Sequence, residues 1–149
     1  MKKILIISLI FLGSLAANAQ KISNLKPTFV VWQKGRNNIS LNDAKFGVVI
    51  KDSISLSLFF NNHLFETIEN YENTVLEFRW YYYLSTRKSL MYIDKVNYKE
   101  ALKQKDAIVY SSSYKSLRPG WWEVQVISST DKGFLQFGST MKYQIFVKK

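Results

Sequence analysis

The sequence contains no cysteine, so neither a disulfide bond nor a thiolate nucleophile can be part of this protein. It contains one histidine, His63, which leaves a catalytic triad with one possible imidazole base and a zinc site with one possible imidazole ligand. The G-x-S-x-G motif of a serine nucleophile does not occur. We therefore predict a protein that is not an enzyme, that has no cofactor and no metal site, and in which His63 is a loop residue.

Acidic residues are few, with 11 aspartates and glutamates against 21 lysines and arginines. Glu66, Glu69 and Glu72 follow each other at a spacing of three, but calcium takes about six to eight oxygen ligands from a tight loop, and no D-x-D-x-D-G motif is present. We interpret these glutamates as a solvated connection. A glycosidase needs two carboxylates at a defined separation, and the sequence indicates no such pair. A small carboxylate-dependent hydrolase is the remote alternative.

The excess of basic residues gives a formal net charge of +10. The lysines are scattered along the chain, and they are densest in KVNYKEALKQK, residues 95–105. Nucleic-acid interfaces concentrate their basic residues on one face or in one run, so this distribution does not favour a nucleic-acid partner. It predicts a solvated basic face with a weak attraction to anionic polymers or lipid head groups.

Long apolar runs are also missing, apart from one at the beginning of the chain. There Lys2 and Lys3 precede the apolar stretch 4–16, and Ala17-Asn18-Ala19 provides an A-x-A cleavage site. The stretch is shorter than the roughly 20 residues of a membrane-spanning helix. We predict a signal peptide over 1–19, a single domain over 20–149 with no integral membrane span, and export to the periplasm by default, with the cell surface and the medium as other destinations.

Most of the remaining sequence alternates between apolar and polar residues with period two, as in strands that bury one face. The longest example, TVLEFRWYYYL, places Leu76, Phe78, Trp80, Tyr82 and Leu84 on one face and Val75, Glu77, Arg79, Tyr81 and Tyr83 on the other. Only NYKEALKQK, residues 97–105, has a helical pattern. The predicted strands are 28–34, 45–50, 53–60, 74–84, 89–93, 107–111, 121–128 and 141–148.

Seven or eight short strands separated by turn residues such as Pro119-Gly120 are typical of an antiparallel β-sandwich. The alternation favours sheets with one solvated face over the continuously apolar strands of a parallel sheet. A small closed β-barrel is the alternative, because period two does not distinguish a barrel from a sandwich.

The second half of the chain, about residues 75–147, resembles a family of exported bacterial domains of unknown function. The resemblance rests on a basic-Trp-Tyr motif, a serine-containing strand, a Pro-Gly-x-Trp-x-Val-x-Val motif and a short closing strand. It implies an immunoglobulin-like β-sandwich, an envelope location and no activity, and the helical pattern of 97–105 adds one short helix in a connection. Residues 95–105 are longer and more basic than that pattern. The residues that match are Arg79, Trp80, Tyr81, Ser111, Ser112, Leu117, Pro119, Gly120, Trp122, Val124, Val126, Gly133 and Leu135.

Trp121 and Trp122 stand next to each other, and neighbouring side chains of a regular strand point to opposite faces. Trp122 alternates with Val124 and Val126, which predicts a buried ring, whereas Trp121 alternates with Glu123, which predicts a ring at the surface. If strands 74–84 and 121–128 are neighbours, Trp121, Tyr81, Tyr83 and Arg79 form one exposed aromatic and basic strip, in which Arg79 stacks on Trp121 or Tyr81.

Three functions are compatible with this strip and with the fold. The first is a non-enzymatic envelope module that binds an envelope protein through a sheet edge or through the strip. The second is a carbohydrate-binding module that stacks the strip on a cell-surface glycan. The third is the remote hydrolase alternative.

Overall fold

The computed structural model describes residues 26–49, 53–67, 70–115, 117–130 and 140–149, without the side chains of 128–130. The predicted signal peptide, Gly133 and Leu135 lie outside these residues. The described residues form ten strands, two short helices and one 3-10 turn, Tyr71–Asn73. The strands are β1 (Phe29–Lys34), β2 (Asn37–Ile39), β3 (Val48–Val49), β4 (Ser53–Asn61), β5 (Thr74–Leu84), β6 (Arg87–Asn97), β7 (Leu102–Lys103), β8 (Ala107–Lys115), β9 (Gly120–Thr130) and β10 (Thr140–Lys148), and the helices are α1 (Leu41–Phe46) and α2 (Asn62–Glu66).

The strands form two five-stranded sheets, in the orders β2-β1-β4-β8-β7 and β3-β10-β9-β5-β6. We call these the first and the second sheet. In the naming of the immunoglobulin fold, β1, β4, β8 and β7 take the places of strands A, B, E and D, and β10, β9, β5 and β6 take those of G, F, C and C′. The predicted sandwich is confirmed, and the described strands do not close into a barrel. All neighbouring strands are antiparallel except β3 and β10, which run parallel.

Seven of the ten described strands are the long ones that the period-two pattern predicts, and β5 has the predicted bounds. The other three are only two or three residues long. Such short strands carry no periodicity, so alternation cannot reveal them. The predicted strand 45–50 is largely replaced by the end of α1 and the two residues of β3.

Large aromatic rings hold the two sheets together. Trp32 in the first sheet meets Trp80 in the second edge to face, with ring centroids 5.8 Å apart. Tyr114 in the first sheet contacts both Trp80 and Trp122 in the second, at 5.7 and 5.3 Å. The indole nitrogen of Trp80 donates a hydrogen bond of 3.0 Å to the hydroxyl of buried Ser112 on β8. Offset and edge-on ring pairs add specific attraction to the burial of apolar area, so this core stabilises the sandwich without a disulfide.

Gly120 begins β9 in a backbone conformation that only glycine adopts without strain, with φ at +130°. A Cβ atom there would lie 2.9 Å from the hydroxyl oxygen of Tyr82, which itself donates a hydrogen bond of 2.8 Å to the carbonyl oxygen of Pro119. We therefore expect Gly120→Ala to lower the free energy of unfolding by about 2–3 kcal/mol, from strain and overlap together. Urea denaturation followed by circular dichroism measures the change.

Gly35→Ala is the matched control, because Gly35 also has a positive φ, +58°, but nothing lies within 4 Å of the Cβ position. This substitution adds backbone strain alone, at about 1–2 kcal/mol. Equal losses for the two variants would show that the contact with Tyr82 does not restrict position 120.

The helix predicted over 97–105 is wrong, since this segment forms a turn at 98–100 followed by β7. The side-chain oxygen of Asn97 accepts hydrogen bonds from the backbone N–H groups of Lys99 and Glu100, at 2.9 and 3.2 Å, and the carboxylate of Glu100 accepts one of 2.9 Å from the N–H of Asn97. These bonds would start a helix, but Leu102 and Lys103 then pair with β8. Strand pairing therefore overrides the local helical preference.

The two helices observed begin elsewhere, each at a capping side chain. The Ser40 hydroxyl accepts a hydrogen bond from the N–H of Asp43 at the start of α1, and Asn61 caps α2 through the N–H of Leu64. The spacing of Ser40 and Asp43 is that of a capping signature. Of the described helices, neither has the length and apolar character that a bilayer crossing requires.

Candidate functional site

The predicted strip residues all lie on the outer face of the second sheet, on the neighbouring strands β5 and β9. Tyr81 is paired with Glu123 and Arg79 with Gln125 in the register of the two strands. Trp121 is 41% exposed and Trp122 is 1% exposed, so the prediction for the two tryptophans is confirmed. Leu84 was expected to face inward, but it is exposed, because it is the last residue before the turn that joins β5 to β6.

Glu123 lies at the centre of this face and, contrary to its place in the alternating pattern, is only 4% exposed. Its carboxylate accepts hydrogen bonds of 2.8 Å from the Tyr83 hydroxyl, the Lys88 ammonium and the Gln125 amide, and one of 3.2 Å from the Gln144 amide. These donors come from β5, β6, β9 and β10, so four neighbouring strands converge on one carboxylate. We call Glu123 and its four donors the Glu123 network.

The network keeps Glu123 ionised. Burial alone would raise the pKa of Glu123, but the hydrogen bonds from Lys88, Gln125, Tyr83 and Gln144 outweigh it and lower the pKa to about 2. The pKa of Lys88 is raised, because attraction to Glu123 exceeds the effect of its own burial. With four donors on four strands, this carboxylate holds the neighbouring strands of the sheet together.

The other strip residues have intramolecular partners. Arg79 forms an ion pair with Glu77, and Lys95 reaches the same carboxylate at 3.3 Å. Burial would raise the pKa of Glu77, but hydrogen bonds from Arg79 and Lys95 lower it. The cation that lies over the ring of Tyr81 is that of Lys88, 4.2 Å from the ring centroid, and not Arg79 as expected. Of the four predicted residues, Trp121 alone is exposed and the other three are half-buried, so the strip is not one continuous exposed surface.

Trp121 has an aromatic partner that the sequence analysis did not include. It is Phe146 on β10, paired with Trp121 in the register and with its ring centroid 5.1 Å away. The signal was present in the alternation of β10, where Phe146 falls on the polar face and therefore on the outside of the sheet. Beyond it, the backbone of Gly47 approaches so closely that a Cβ atom would lie 2.9 Å from the Phe146 ring and 2.3 Å from the Lys148 side chain.

The opposite edge of the second sheet is formed by β6, whose only partner among the described strands is β5. Four consecutive apolar side chains of β6, Leu90, Met91, Tyr92 and Ile93, are exposed. The pairing with β5 shifts by one residue between Trp80 and Tyr81, which leaves Met91 without a cross-strand partner and places both Leu90 and Ile93 opposite outward residues. An exposed apolar run on an edge strand is unusual, because such edges invite pairing with other chains.

Residues considered for catalysis or metal binding are dispersed. His63 is exposed in α2, and Glu66 and Glu72 are exposed in separate elements, while Glu69 lies outside the described residues. Within the described part of the chain, no group of three or more histidine, aspartate or glutamate side chains is arranged to hold a metal ion.

Comparison with protein-family models, with curated proteins and with solved structures finds no match to this chain. The resemblance built on Trp80, Trp122 and the Pro119-Gly120 turn therefore stays a prediction.

Proposed function

We propose that this protein is a non-enzymatic, exported interaction module that binds another protein of the cell envelope at the edge of β6. The observation that carries the proposal is the run of four exposed apolar side chains, residues 90–93, on a strand with one free edge among the described residues. An extended segment of a partner adds to such an edge through main-chain hydrogen bonds, and its alternate side chains supply specificity.

The length of β6 supports strand addition. It spans eleven residues, whereas β7 and β3, the edge strands at β8 and β10, have two residues each. A two-residue edge offers too few main-chain groups for a stable added strand, since isolated pairs of strands are marginal even at greater length. The remaining edge strand, β2, has three residues. Of the described edge strands, β6 is therefore the longest and offers a partner strand the most main-chain groups.

The charge beside the apolar run favours a partner with an acidic residue at the Lys95 end of its strand, since Glu123 neutralises Lys88 at the other end. Lys88 and Lys95 flank the run on the outer face. Lys95 shares the carboxylate of Glu77 with Arg79, so this end of β6 retains positive charge. An antiparallel second copy that sets Leu90 against Ile93 would also set Lys88 against Lys95, and like charges directly opposite are destabilising. A different protein therefore fits this edge better than a second copy.

Site-specific photocrosslinking in cells tests the proposal. A photoreactive residue at Met91 should give one crosslinked product of defined mass, because Met91 lies in the exposed run. The same residue at Leu102, which is 61% exposed on the edge strand of the first sheet, is the matched control and should give none. The Leu90→Lys/Ile93→Lys variant should lose most of the product, because it replaces both outward apolar contacts with charge. Position 93 pairs with Arg79, so the fold of this variant is checked by circular dichroism.

Three results would contradict this proposal. One is an equal product from position 102, another is a product that survives the double lysine substitution, and the third is a product that disappears when envelope glycans are digested first. The last result would show that the neighbour of β6 is a glycan and not a protein. Circular dichroism of the double variant confirms that it is folded.

A further inference from the structure

A second exposed apolar surface lies near the edge of the second sheet that is opposite β6, where β3 and β10 are found. Phe46, the last residue of α1, is 79% exposed, and the next residue, Gly47, lies against Phe146. Val49 on β3 is exposed too, and it is paired with Lys148 on β10. We call Phe46, Val49, Trp121 and Phe146 the aromatic patch.

Positive charge surrounds the aromatic patch. Lys45 precedes Phe46 at the exposed end of α1, Lys148 packs over Gly47, and the Lys34 ammonium donates a hydrogen bond of 2.6 Å to the carbonyl oxygen of Val49. The elements that carry the patch contain two carboxylates: Asp43 is exposed and accepts a hydrogen bond of 2.6 Å from Ser40, and Glu123 is buried in its network. The lysines therefore outnumber the exposed carboxylates around the patch.

The chemistry of the patch suits a lipid surface. Aromatic and aliphatic side chains partition into the boundary between head groups and acyl chains, and lysines around them are attracted to anionic head groups. Phe46 and Val49 have no hydrogen-bonding group in their side chains, whereas sugar recognition requires polar groups placed beside the stacking ring. The patch therefore combines apolar side chains that can insert into a lipid surface with lysines around them. Binding of this kind does not require a free strand edge.

We propose that the aromatic patch docks the protein onto a membrane surface rich in anionic phospholipid, with Phe46 and Trp121 inserted at the head-group boundary and Lys45 and Lys148 against the phosphates. The inference is independent of the β6 edge. The two surfaces lie at opposite edges of the same sheet, so a module held on a membrane by the patch keeps the edge of β6 free for a protein partner.

Trp121 is a built-in reporter for the test. The chain has four tryptophans, and the other three, Trp32, Trp80 and Trp122, are buried. Brominated lipids quench a tryptophan only at short range. The protein is mixed with vesicles of phosphatidylglycerol and phosphatidylcholine, brominated on the acyl chains, and with vesicles of phosphatidylcholine alone. We expect quenching of the Trp121 emission and co-sedimentation with the anionic vesicles, and at least tenfold weaker binding to the neutral ones. Salt at about 0.5 M should release the protein, because it screens the attraction between the lysines and the anionic head groups.

Two variants and one control locate the surface. Phe46→Ser should reduce the bound fraction at least fivefold, because it removes the most exposed ring, and Lys148→Glu should do so because it reverses a charge of the rim. Leu102→Ser, on the first sheet, removes another exposed apolar side chain and should bind like the unaltered protein.

The proposal is overturned if the unaltered protein fails to sediment with anionic vesicles at low salt, or if Leu102→Ser weakens binding as much as Phe46→Ser. It is also overturned if soluble cell-wall glycan fragments, and not vesicles, change the emission of Trp121, since the patch would then be a carbohydrate platform. Because Phe46 is largely exposed, the Phe46→Ser variant retains the fold, and Lys148→Glu provides the second measurement if it does not.

Discussion

Replacement of Trp122 by alanine is expected to lower the free energy of unfolding by about 3–5 kcal/mol. Its ring is fully buried, with ring centroids 4.9 Å from Tyr82 and 5.3 Å from Tyr114, so the substitution leaves a cavity between the two sheets. The indole nitrogen also donates a hydrogen bond of 2.9 Å to the carbonyl oxygen of Arg118, which loses its partner. Burial, ring contacts and the hydrogen bond all act in the same direction.

Trp121→Ala is the control for this prediction, since it removes the same side chain one residue earlier. Trp121 contacts Phe146 but is 41% exposed, and we expect its loss to cost at most about 1 kcal/mol. Urea denaturation followed by far-ultraviolet circular dichroism compares the two variants without relying on tryptophan fluorescence. Similar midpoints for both would show that β9 does not present its two faces as described.

Glu123→Gln is expected to lower the free energy of unfolding at neutral pH by on the order of 3 kcal/mol, the value that corresponds to a pKa held at about 2 instead of 4.5. Glutamine keeps the size of the side chain but removes the charge that Lys88 and the other donors share. The partly exposed Lys88 then regains some hydration, which limits the loss.

The loss of stability in Glu123→Gln should become smaller as the pH falls. The pKa of Glu123 is lower in the folded protein than in the unfolded chain, so its stabilisation is fully present above about pH 4.5 and decreases as the pH falls towards 2. Unfolding free energies measured between pH 2 and pH 7 should therefore converge for the unaltered protein and Glu123→Gln at the acid end. A constant difference over this range would show that the charge of Glu123 is not what stabilises the sheet.

Glu77→Gln is the matched control on the same face. Its carboxylate pairs with Arg79 and Lys95, but both cations are more exposed than Lys88, with side-chain exposures of 38% and 65% against 30%. Water screens such pairs, and we expect a loss of about 0.5–1 kcal/mol. A larger loss than that of Glu123→Gln would place the stabilising charge at the edge of the sheet and not at its centre.

Alternation predicted the long strands and the inward ring of Trp122, because each sheet has one buried and one outer face. It could not predict that Glu123 is buried, since alternation assigns a residue to a face and not a depth. Four neighbouring strands cover this carboxylate with long side chains, and which strands are neighbours is not encoded in period two. For the same reason, alternation could not predict that Trp121 on β9 pairs with Phe146 on β10.

Short elements were predicted least well. The helix α1 had a usable signal in Ser40 and Asp43, a capping pair that the alternation of the surrounding residues obscured. The segment 97–105 had helical composition, but a turn at Asn97 and pairing of Leu102 with Val109 override it. The exposed run of β6 looked like an ordinary short strand, because exposure at a sheet edge depends on strand order alone.

The connectivity of the two sheets has a consequence for the order in which the chain folds. In the second sheet, β5 and β6 join through the tight turn Ser85-Thr86, so their ladder closes with little loss of chain entropy. In the first sheet, β4 pairs with β8, and the hydroxyls of Ser57 and Ser111 that meet there are 54 residues apart in sequence. Contacts of such separation form slowly, so we expect the β5–β6 hairpin to form early and the pairing of β4 with β8 to form later.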